Sequence, residues 1–271
     1  MPLPYTGKHG ELNFEADIVE LLQQSGWEHT VLKNPTVDDL ISNWRDIILD
    51  RNRAKLNDVA LSDNEMMQLL DIIKQQANTP VKANMFLNTA DRGVAITRDK
   101  DSDDKAHAGK EVYLNLFDAR EIAGGTSRYQ IAEQVIFQTG DQYPDRRGDI
   151  TLLIDGLPVI QIELKASGVD VFEACTQIQK YTQEGVFTGL MSFVQVFWAV
   201  TPEDALYFSN PGSAQSFNPS FYFHWGDRDN NTITNWRELI TGQNHILSVP
   251  EAHKMIGYYT VADKNLNTLM V

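Results

Sequence analysis

Residues 149–165 read DITLLIDGLPVIQIELK. Two apolar runs flank an Asp-Gly pair at 155–156, which is a strong turn signal, so the stretch predicts a β-hairpin. Asp149, Glu163 and Lys165 stand at the ends of strands that could have been filled with valine and isoleucine. Ionised groups beside so apolar a stretch are costly to bury, which favours a functional reason for their presence.

The loop of this hairpin decides whether the carboxylates of Asp149 and Glu163 share a face. Side chains alternate along a strand, and directly opposed residues of an antiparallel pair point to the same side. A two-residue Asp-Gly turn would place Asp149 opposite Ile162. A three-residue loop over 155–157, with Gly156 at its centre, would place it opposite Glu163. We therefore predict the three-residue loop or an equivalent bulge.

Two carboxylates and an ammonium at one end of a hairpin suit a particular chemistry. Carboxylates on neighbouring strands repel one another unless a cation lies between them, and Mg²⁺ suits a site with one or two carboxylates. We predict that Asp149 and Glu163 hold Mg²⁺, and that Lys165 orients a water or neutralises charge on a phosphate. The pattern indicates metal-assisted phosphodiester hydrolysis. The alternative is a surface hairpin whose Glu163 and Lys165 are solvated strand-end charges.

The segment after the hairpin, VDVFEACTQIQKYTQEG, predicts a helix that ends near Gly185. Gln177 and Tyr181 are four residues apart and therefore lie on one face of it. Together they could hydrogen-bond a phosphate or the catalytic carboxylates. The alternative is an amphipathic helix with one polar edge.

The remaining sequence predicts an α/β fold with a central sheet flanked by helices. Helical spacing appears in FEADIVELLQQSGW, and again in two segments before residue 80. Apolar runs such as IAEQVIF and SFVQVFWAV predict strands, and TITNWRELI returns to a helical pattern. This order of helices and strands favours one sheet with helices packed against it.

Composition narrows the class of protein. The chain has 271 residues, a net charge of −14 and one cysteine, Cys175, so it cannot form an internal disulfide or a cysteine-based zinc site. It has neither an apolar signal core nor a long apolar run, and we expect a soluble cytoplasmic protein without membrane contact. The negative charge argues against nucleic-acid binding over the whole surface, and it predicts weak, salt-sensitive binding of DNA. No phosphate-binding G-x-x-x-x-G-K-[ST] motif occurs.

The motif region resembles the PD-(D/E)xK nuclease superfamily. RRGDITLLIDGLPVIQIELKASG followed by QIQKY is similar to the N-terminal endonuclease domain of the type I restriction enzyme R subunit. The resemblance is close over 146–185 and looser elsewhere. It implies a restriction-endonuclease-like core, catalytic roles for Asp149, Glu163 and Lys165, and supporting or DNA-positioning roles for Gln177 and Tyr181. Two further positions are relevant to the comparison: Glu15 matches a helix-borne carboxylate, and Gly148 stands where the superfamily pattern has proline.

The resemblance also implies a role in a larger enzyme. A type I site-specific deoxyribonuclease cuts duplex DNA after ATP-driven translocation, and its R subunit works with modification (methyltransferase) and specificity subunits. The implied organisation is an endonuclease domain over residues 1–230 and a helical connector over 231–271, leading to a helicase-type motor that this chain lacks. ATP would then be used by that motor. The apolar end TVADKNLNTLMV is what we expect where a longer polypeptide continues.

Two alternatives remain open at this stage. One is a stand-alone repair nuclease of the same superfamily, for which a basic DNA-binding face would argue. The other is a non-catalytic module that docks the motor onto the methyltransferase, with residual carboxylates. The presence of all five residues of the D…E-x-K and Q-x-x-x-Y set favours a working nuclease.

Overall fold

The hairpin predicted from residues 149–165 lies at the centre of a six-stranded mixed sheet. The computed structural model describes residues 5–89, 93–120, 125–139, 142–227, 229–241 and 245–271. The sheet has the order β1-β4-β5-β6-β7-β8; β1 is parallel to β4 and β6 is parallel to β7, and the other neighbours are antiparallel. The predicted α/β class, with a mixed central sheet flanked by helices, is confirmed.

The strands are short except at the centre of the sheet. Their bounds are β1 Leu32–Lys33, β2 Val94–Thr97, β3 Glu111–Leu114, β4 Tyr129–Phe137, β5 Arg146–Ile154, β6 Leu157–Leu164, β7 Val196–Val200, β8 Ala205–Ser209, β9 Trp225–Gly226, β10 Thr232–Ile233, β11 Val261–Asp263 and β12 Thr268–Met270. The pairs β2/β3, β9/β10 and β11/β12 form separate two-stranded sheets. Every residue of β6 is buried, as expected for a strand covered on both faces.

The helices surround this sheet. Their bounds are α1 Gly7–Gln24, α2 Val37–Arg51, α3 Arg53–Leu56, α4 Asp63–Gln76, α5 Pro80–Leu87, α6 Val171–Gln183, α7 Trp236–Thr241 and α8 Glu251–Lys254. Side-chain caps fix several helix starts: Thr36 and Ser62 form capping boxes at α2 and α4. At α6 the carboxylate of Asp170 accepts a hydrogen bond from the Phe172 amide at 2.9 Å.

The hairpin turn is the two-residue one, so the predicted three-residue loop over 155–157 is wrong. Ile154 pairs with Leu157, and Asp155 and Gly156 adopt φ angles of 54° and 80°, as the central residues of a type I′ turn do. The register then shifts by one residue, so that Ile150 pairs with Ile162. The predicted bulge therefore supplies the extra residue that the turn does not.

The turn is tied to helix α2. Arg51 donates a hydrogen bond to the buried carboxylate of Asp155 over 2.7 Å, and the amide of Arg128 donates to the same carboxylate at 3.0 Å. A Cβ at Gly156 would come within 2.9 Å of the Trp44 ring, so this position requires glycine for space as well as for its φ angle.

The segment after residue 230 packs on the same hydrophobic core as the sheet. The Trp236 ring meets Phe14 of α1 edge-on, with 5.1 Å between ring centroids, and the Trp27 indole donates to the Leu247 carbonyl at 2.7 Å. Short helices, a π-helical turn at Met255–Tyr259 and the β11/β12 hairpin make up this segment. The boundary at residue 230 and the role of 231–271 as a connector stay predictions.

No helix in the described ranges is both long enough and apolar enough to cross a membrane.

Candidate active site

Asp149 lies where the ladder between β5 and β6 ends. The last backbone pair of this ladder is Ile150 with Ile162, and beyond it β5 pairs with β4 alone. The amide of Leu164 donates its hydrogen bond to Asp149 Oδ2 at 2.7 Å, in place of a backbone acceptor. The half-buried Asp149 carboxylate is therefore fixed directly beside β6.

Glu163 is completely buried and held by two amides. Gln161 Nε2 donates to Oε1 at 3.0 Å, and Gln177 Nε2 donates to Oε2 at 2.7 Å. The Gln161 side chain is fixed in turn by the Thr151 hydroxyl, which donates to its carbonyl oxygen at 2.6 Å. Glu163 therefore has one orientation, supported from its own strand and from α6.

Lys165 lies half-buried beside these two carboxyl groups. Its Nζ donates to the Leu164 carbonyl at 2.8 Å, and its positive charge lowers the pKa of both Asp149 and Glu163. The structure thus brings the three predicted catalytic residues together at one end of the hairpin.

The two carboxyl groups are strongly coupled. Burial is the main cause that raises the pKa of Asp149 to about 6, while the Leu164 amide and Lys165 oppose the shift. Burial, and next the negative charge of Asp149, raise the pKa of Glu163 well above its ordinary value. The side chains of the two groups also interact directly, which lowers the pKa of Asp149 and raises that of Glu163. Two full negative charges are therefore costly here unless a cation joins them.

The donor set suits Mg²⁺ better than a metal that needs a closed cage. Within the described ranges no group of three or more His, Cys, Asp or Glu side chains is arranged to hold a metal ion. Asp149 and Glu163 supply two hard carboxylate ligands, which is what Mg²⁺ uses when it keeps several waters. Burial raises the pKa of both groups, so a cation that binds the ionised pair would offset the cost of burying its charges.

Gln177 and Tyr181 support Glu163 from α6. Besides its bond to Glu163, Gln177 Nε2 donates to the Tyr181 hydroxyl oxygen at 2.8 Å. The Tyr181 hydroxyl donates to the Arg147 carbonyl at 2.9 Å, and the tyrosine side chain is buried. Of the two roles considered for this pair, the structure favours support of the carboxylate, because the Tyr181 hydroxyl is already used within the protein.

Glu15 reaches the site from α1. Its two carboxylate oxygens accept from Gln134 Nε2 at 2.7 and 2.6 Å. Burial is the main cause that raises the pKa of Glu15 to about 7; the charge of Asp149 also raises it, and that of Arg147 lowers it. Glu15 is thus a buried carboxyl group, close to Asp149, that can gain or lose a proton near neutral pH.

Three residues of this site were not identified from the sequence. Glu11 lies one turn before Glu15 on α1, and its charge raises the pKa of Asp149. Gln161, two residues before Glu163 on β6, shares its orientation, and this period-two spacing could have predicted its role. No sequence spacing indicates the role of Gln134. Its hydrogen bonds to Glu15 depend on a left-handed backbone, with φ of 56°, within β4.

The space around Gly148 is too small for a side chain. A Cβ at this position would lie 2.7 Å from Gln161 Nε2, 2.9 Å from Phe137 Cε2 and 3.2 Å from Glu163 Oε1. A proline would place its own Cβ in the same space. The glycine therefore leaves room for the glutamine that orients Glu163.

Gly148→Ala is expected to lower the free energy of unfolding by roughly 1–3 kcal/mol, because the added methyl group overpacks this space. Urea unfolding of the chain measures the loss. Combining it with Gln161→Ala removes the closest contact, so the double variant should be more stable than the sum of the two single effects, by about 1 kcal/mol. Strictly additive losses would show that Gln161 is not what excludes a side chain at 148.

The chain is similar to known proteins over most of its length. The family described as "Type I restriction enzyme R protein N terminus" matches residues 11–216. The chain is 32% identical over 266 residues to the "Type I restriction enzyme SsaAORF53P endonuclease subunit" of Staphylococcus saprophyticus, covering 96% of this chain and 25% of that protein. It is 29% identical over 263 residues to the SauMSSORF170P endonuclease subunit of Staphylococcus aureus, with the same coverage.

A more distant relative is the "Type I restriction enzyme EcoprrI endonuclease subunit" of Escherichia coli, 25% identical over 236 residues, which are 84% of this chain and 68% of that protein. The chain spans about a quarter of the length of the staphylococcal relatives.

Proposed function

Because this chain belongs to the family of type I restriction enzyme R protein N termini, we propose that it is a metal-dependent endonuclease domain that hydrolyses phosphodiester bonds of duplex DNA. The observation that supports this most directly is the coupled pair of the half-buried Asp149 and the buried Glu163, with Lys165 beside it. A structural hairpin has no need of two such carboxyl groups side by side, which is a destabilising arrangement.

In this proposal Asp149 and Glu163 hold Mg²⁺. A bound Mg²⁺ would supply positive charge that polarises a phosphoryl oxygen and favours ionisation of water. Lys165 neutralises charge that develops on the phosphate during hydrolysis, or orients the attacking water. Gln161 and Gln177 keep the Glu163 carboxylate in one orientation. Glu15, with a pKa of about 7, can hold a proton at its carboxyl oxygen or release it during the reaction.

The partners follow from the family. We propose that the domain acts in the cytoplasm on DNA brought to it by an ATP-driven motor, within a complex that contains modification and specificity subunits. The family match favours this assignment over a stand-alone repair nuclease. A non-catalytic docking module is the weaker candidate, because docking does not require the hydrogen bonds that orient Glu163.

The test is DNA cleavage by the assembled restriction enzyme with Asp149→Asn in this domain. Circular DNA with one recognition site should no longer be linearised, because the amide is a poor ligand for Mg²⁺. ATP hydrolysis by the same preparation should continue at the wild-type rate, since no phosphate-binding loop lies in this sequence. Wild-type linearisation by this variant would contradict the proposal.

A further inference from the structure

The arginines at positions 146 and 147 lie side by side on β5 but have different surroundings. Arg146 forms a two-pronged ion pair with Glu184, with N···O distances of 2.5 and 2.6 Å. Arg147 is exposed, and within the part of the chain that the structure describes its guanidinium makes no hydrogen bond or ion pair. One guanidinium is therefore committed to the fold and the other is available to a ligand.

Arg147 lies close to the candidate active site. It is two residues before Asp149 on β5, and its positive charge lowers the pKa of Glu15. A ligand held by this guanidinium would therefore be near the carboxyl groups.

The backbone at Arg147 is anchored to the same carboxyl groups. The Tyr181 hydroxyl donates to the Arg147 carbonyl, Gln177 donates to Tyr181, and Gln177 also donates to Glu163. This continuous series of hydrogen bonds, from 2.7 to 2.9 Å long, joins the orientation of Glu163 to the position of Arg147 on its strand. The backbone from which the Arg147 side chain extends is thereby fixed relative to Glu163.

The charges around the site explain why such a cation is needed. Three carboxyl groups, those of Glu11, Glu15 and Glu163, each interact with the carboxyl group of Asp149. An approaching phosphate is repelled by every one of them that is ionised. Lys165 is already directed to the Leu164 carbonyl and to the carboxyl pair. A second cation at the edge of the site would offset this repulsion.

From these contacts we infer that Arg147 is a DNA-binding residue whose guanidinium holds a backbone phosphate next to the cleaved bond. This inference rests on the proposed nuclease function and names the contact that aligns its substrate. Arginine suits this role because its planar fork can donate two parallel hydrogen bonds to one phosphate. Such a contact positions the duplex without reading its sequence.

Binding of a fluorescent 20-base-pair duplex to this chain in the presence of Ca²⁺ provides the first measurement. Arg147→Gln should weaken binding about tenfold, equally for two duplexes of unrelated sequence. It should also reduce the slope of log K against log salt by about 0.9, the value expected for the loss of one phosphate contact. Arg146→Gln is the matched control: the same charge is removed one residue away, but from a guanidinium held by Glu184, so slope and affinity should stay near wild type.

Cleavage by the assembled enzyme provides the second measurement. Arg147→Gln should slow linearisation about tenfold, and Tyr181→Phe, which removes the bond to the Arg147 carbonyl, should slow it less; both should leave ATP hydrolysis unchanged. Equal effects of the Arg146 and Arg147 variants on the salt slope would overturn the inference, since general electrostatics would then explain both. If Asp149→Asn also cuts DNA normally, the proposed function itself fails. If Asp149→Asn is inactive while Arg147→Gln behaves as wild type, this inference alone fails.

Discussion

Glu163→Gln and Lys165→Ala are each expected to reduce DNA cleavage by the assembled enzyme at least about 10³-fold. In our proposal the first removes one of the two metal ligands, a carboxylate whose two oxygens both accept hydrogen bonds from amide donors. The second removes the ammonium that lies beside the carboxyl pair. ATP hydrolysis and translocation should be unaffected, because the site has no part in either process in our proposal.

Linearisation of circular DNA with one recognition site, run beside an ATPase assay on the same preparations, measures both outcomes. Lys180→Ala is the control for Lys165→Ala, since it removes the same charge from an exposed position on α6. It should cut DNA at a rate within about twofold of wild type, because substitutions of exposed residues away from the site usually have small effects. Normal cutting by the Lys165→Ala enzyme would contradict the catalytic role proposed for Lys165.

The second large effect is on stability: the metal-free chain should be more stable at pH 5 than at pH 7.5. The folded-state pKa values of Glu15 and Asp149 are raised, to about 7 and about 6, from ordinary values of 4.5 and 3.8. The folded chain therefore binds more protons than the unfolded chain between about pH 4 and pH 7, and stability falls as pH rises through that window. One pKa unit corresponds to about 1.4 kcal/mol, so Glu15 alone accounts for a loss on the order of 3 kcal/mol.

Mg²⁺ should reverse this loss at pH 7.5, because it binds the ionised pair in the folded chain. A concentration about 100-fold above its dissociation constant would add about 2.7 kcal/mol to the free energy of unfolding. Urea unfolding at both pH values, with EDTA or with Mg²⁺, provides the measurement. Glu163→Gln should reduce both the pH effect and the Mg²⁺ effect, whereas Glu20→Gln, at an exposed position on α1, should change neither. Equal stability at the two pH values would show that burial does not disfavour the ionised forms of the Glu15 and Asp149 carboxyl groups.

The hairpin shows what the alternation of side chains along a strand can and cannot predict. Because Asp149 and Glu163 had to share a face, we correctly predicted one unpaired residue in the hairpin. The loop at 155–157 was the wrong place for it. The Asp-Gly pair forms the two-residue turn that its composition favours, and the register shift falls near Pro158 instead. Proline has no amide hydrogen for the ladder, and within a sheet it is found at bulges and edges. Pro158 in an otherwise central strand was therefore the signal for the bulge.

The rest of the site divides by the kind of information that each residue requires. Residues at fixed spacings, such as Gln177 and Tyr181, could be placed by helical geometry alone. Gln134 could not, because its contact with Glu15 joins β4 to α1 across 119 positions of the sequence and depends on one left-handed residue. Arg147 is intermediate: its nearness to Asp149 is visible in the sequence, but the difference from Arg146 appears only when Glu184 is seen to bind one arginine and not the other.

The steric relation between Gly148 and Gln161 has a consequence for how such domains diverge. Residue 148 can gain a side chain only if the Gln161 amide, at 2.7 Å from the added Cβ, gives way and the edge of the Phe137 ring, at 2.9 Å, shifts slightly. A lineage that exchanges this glycine for proline should therefore already carry a smaller residue in place of the glutamine, and must find another donor for the carboxylate. Mutations that arrive in the opposite order pass through an overpacked intermediate. The two positions are expected to change together during evolution, although 12 residues separate them in the chain.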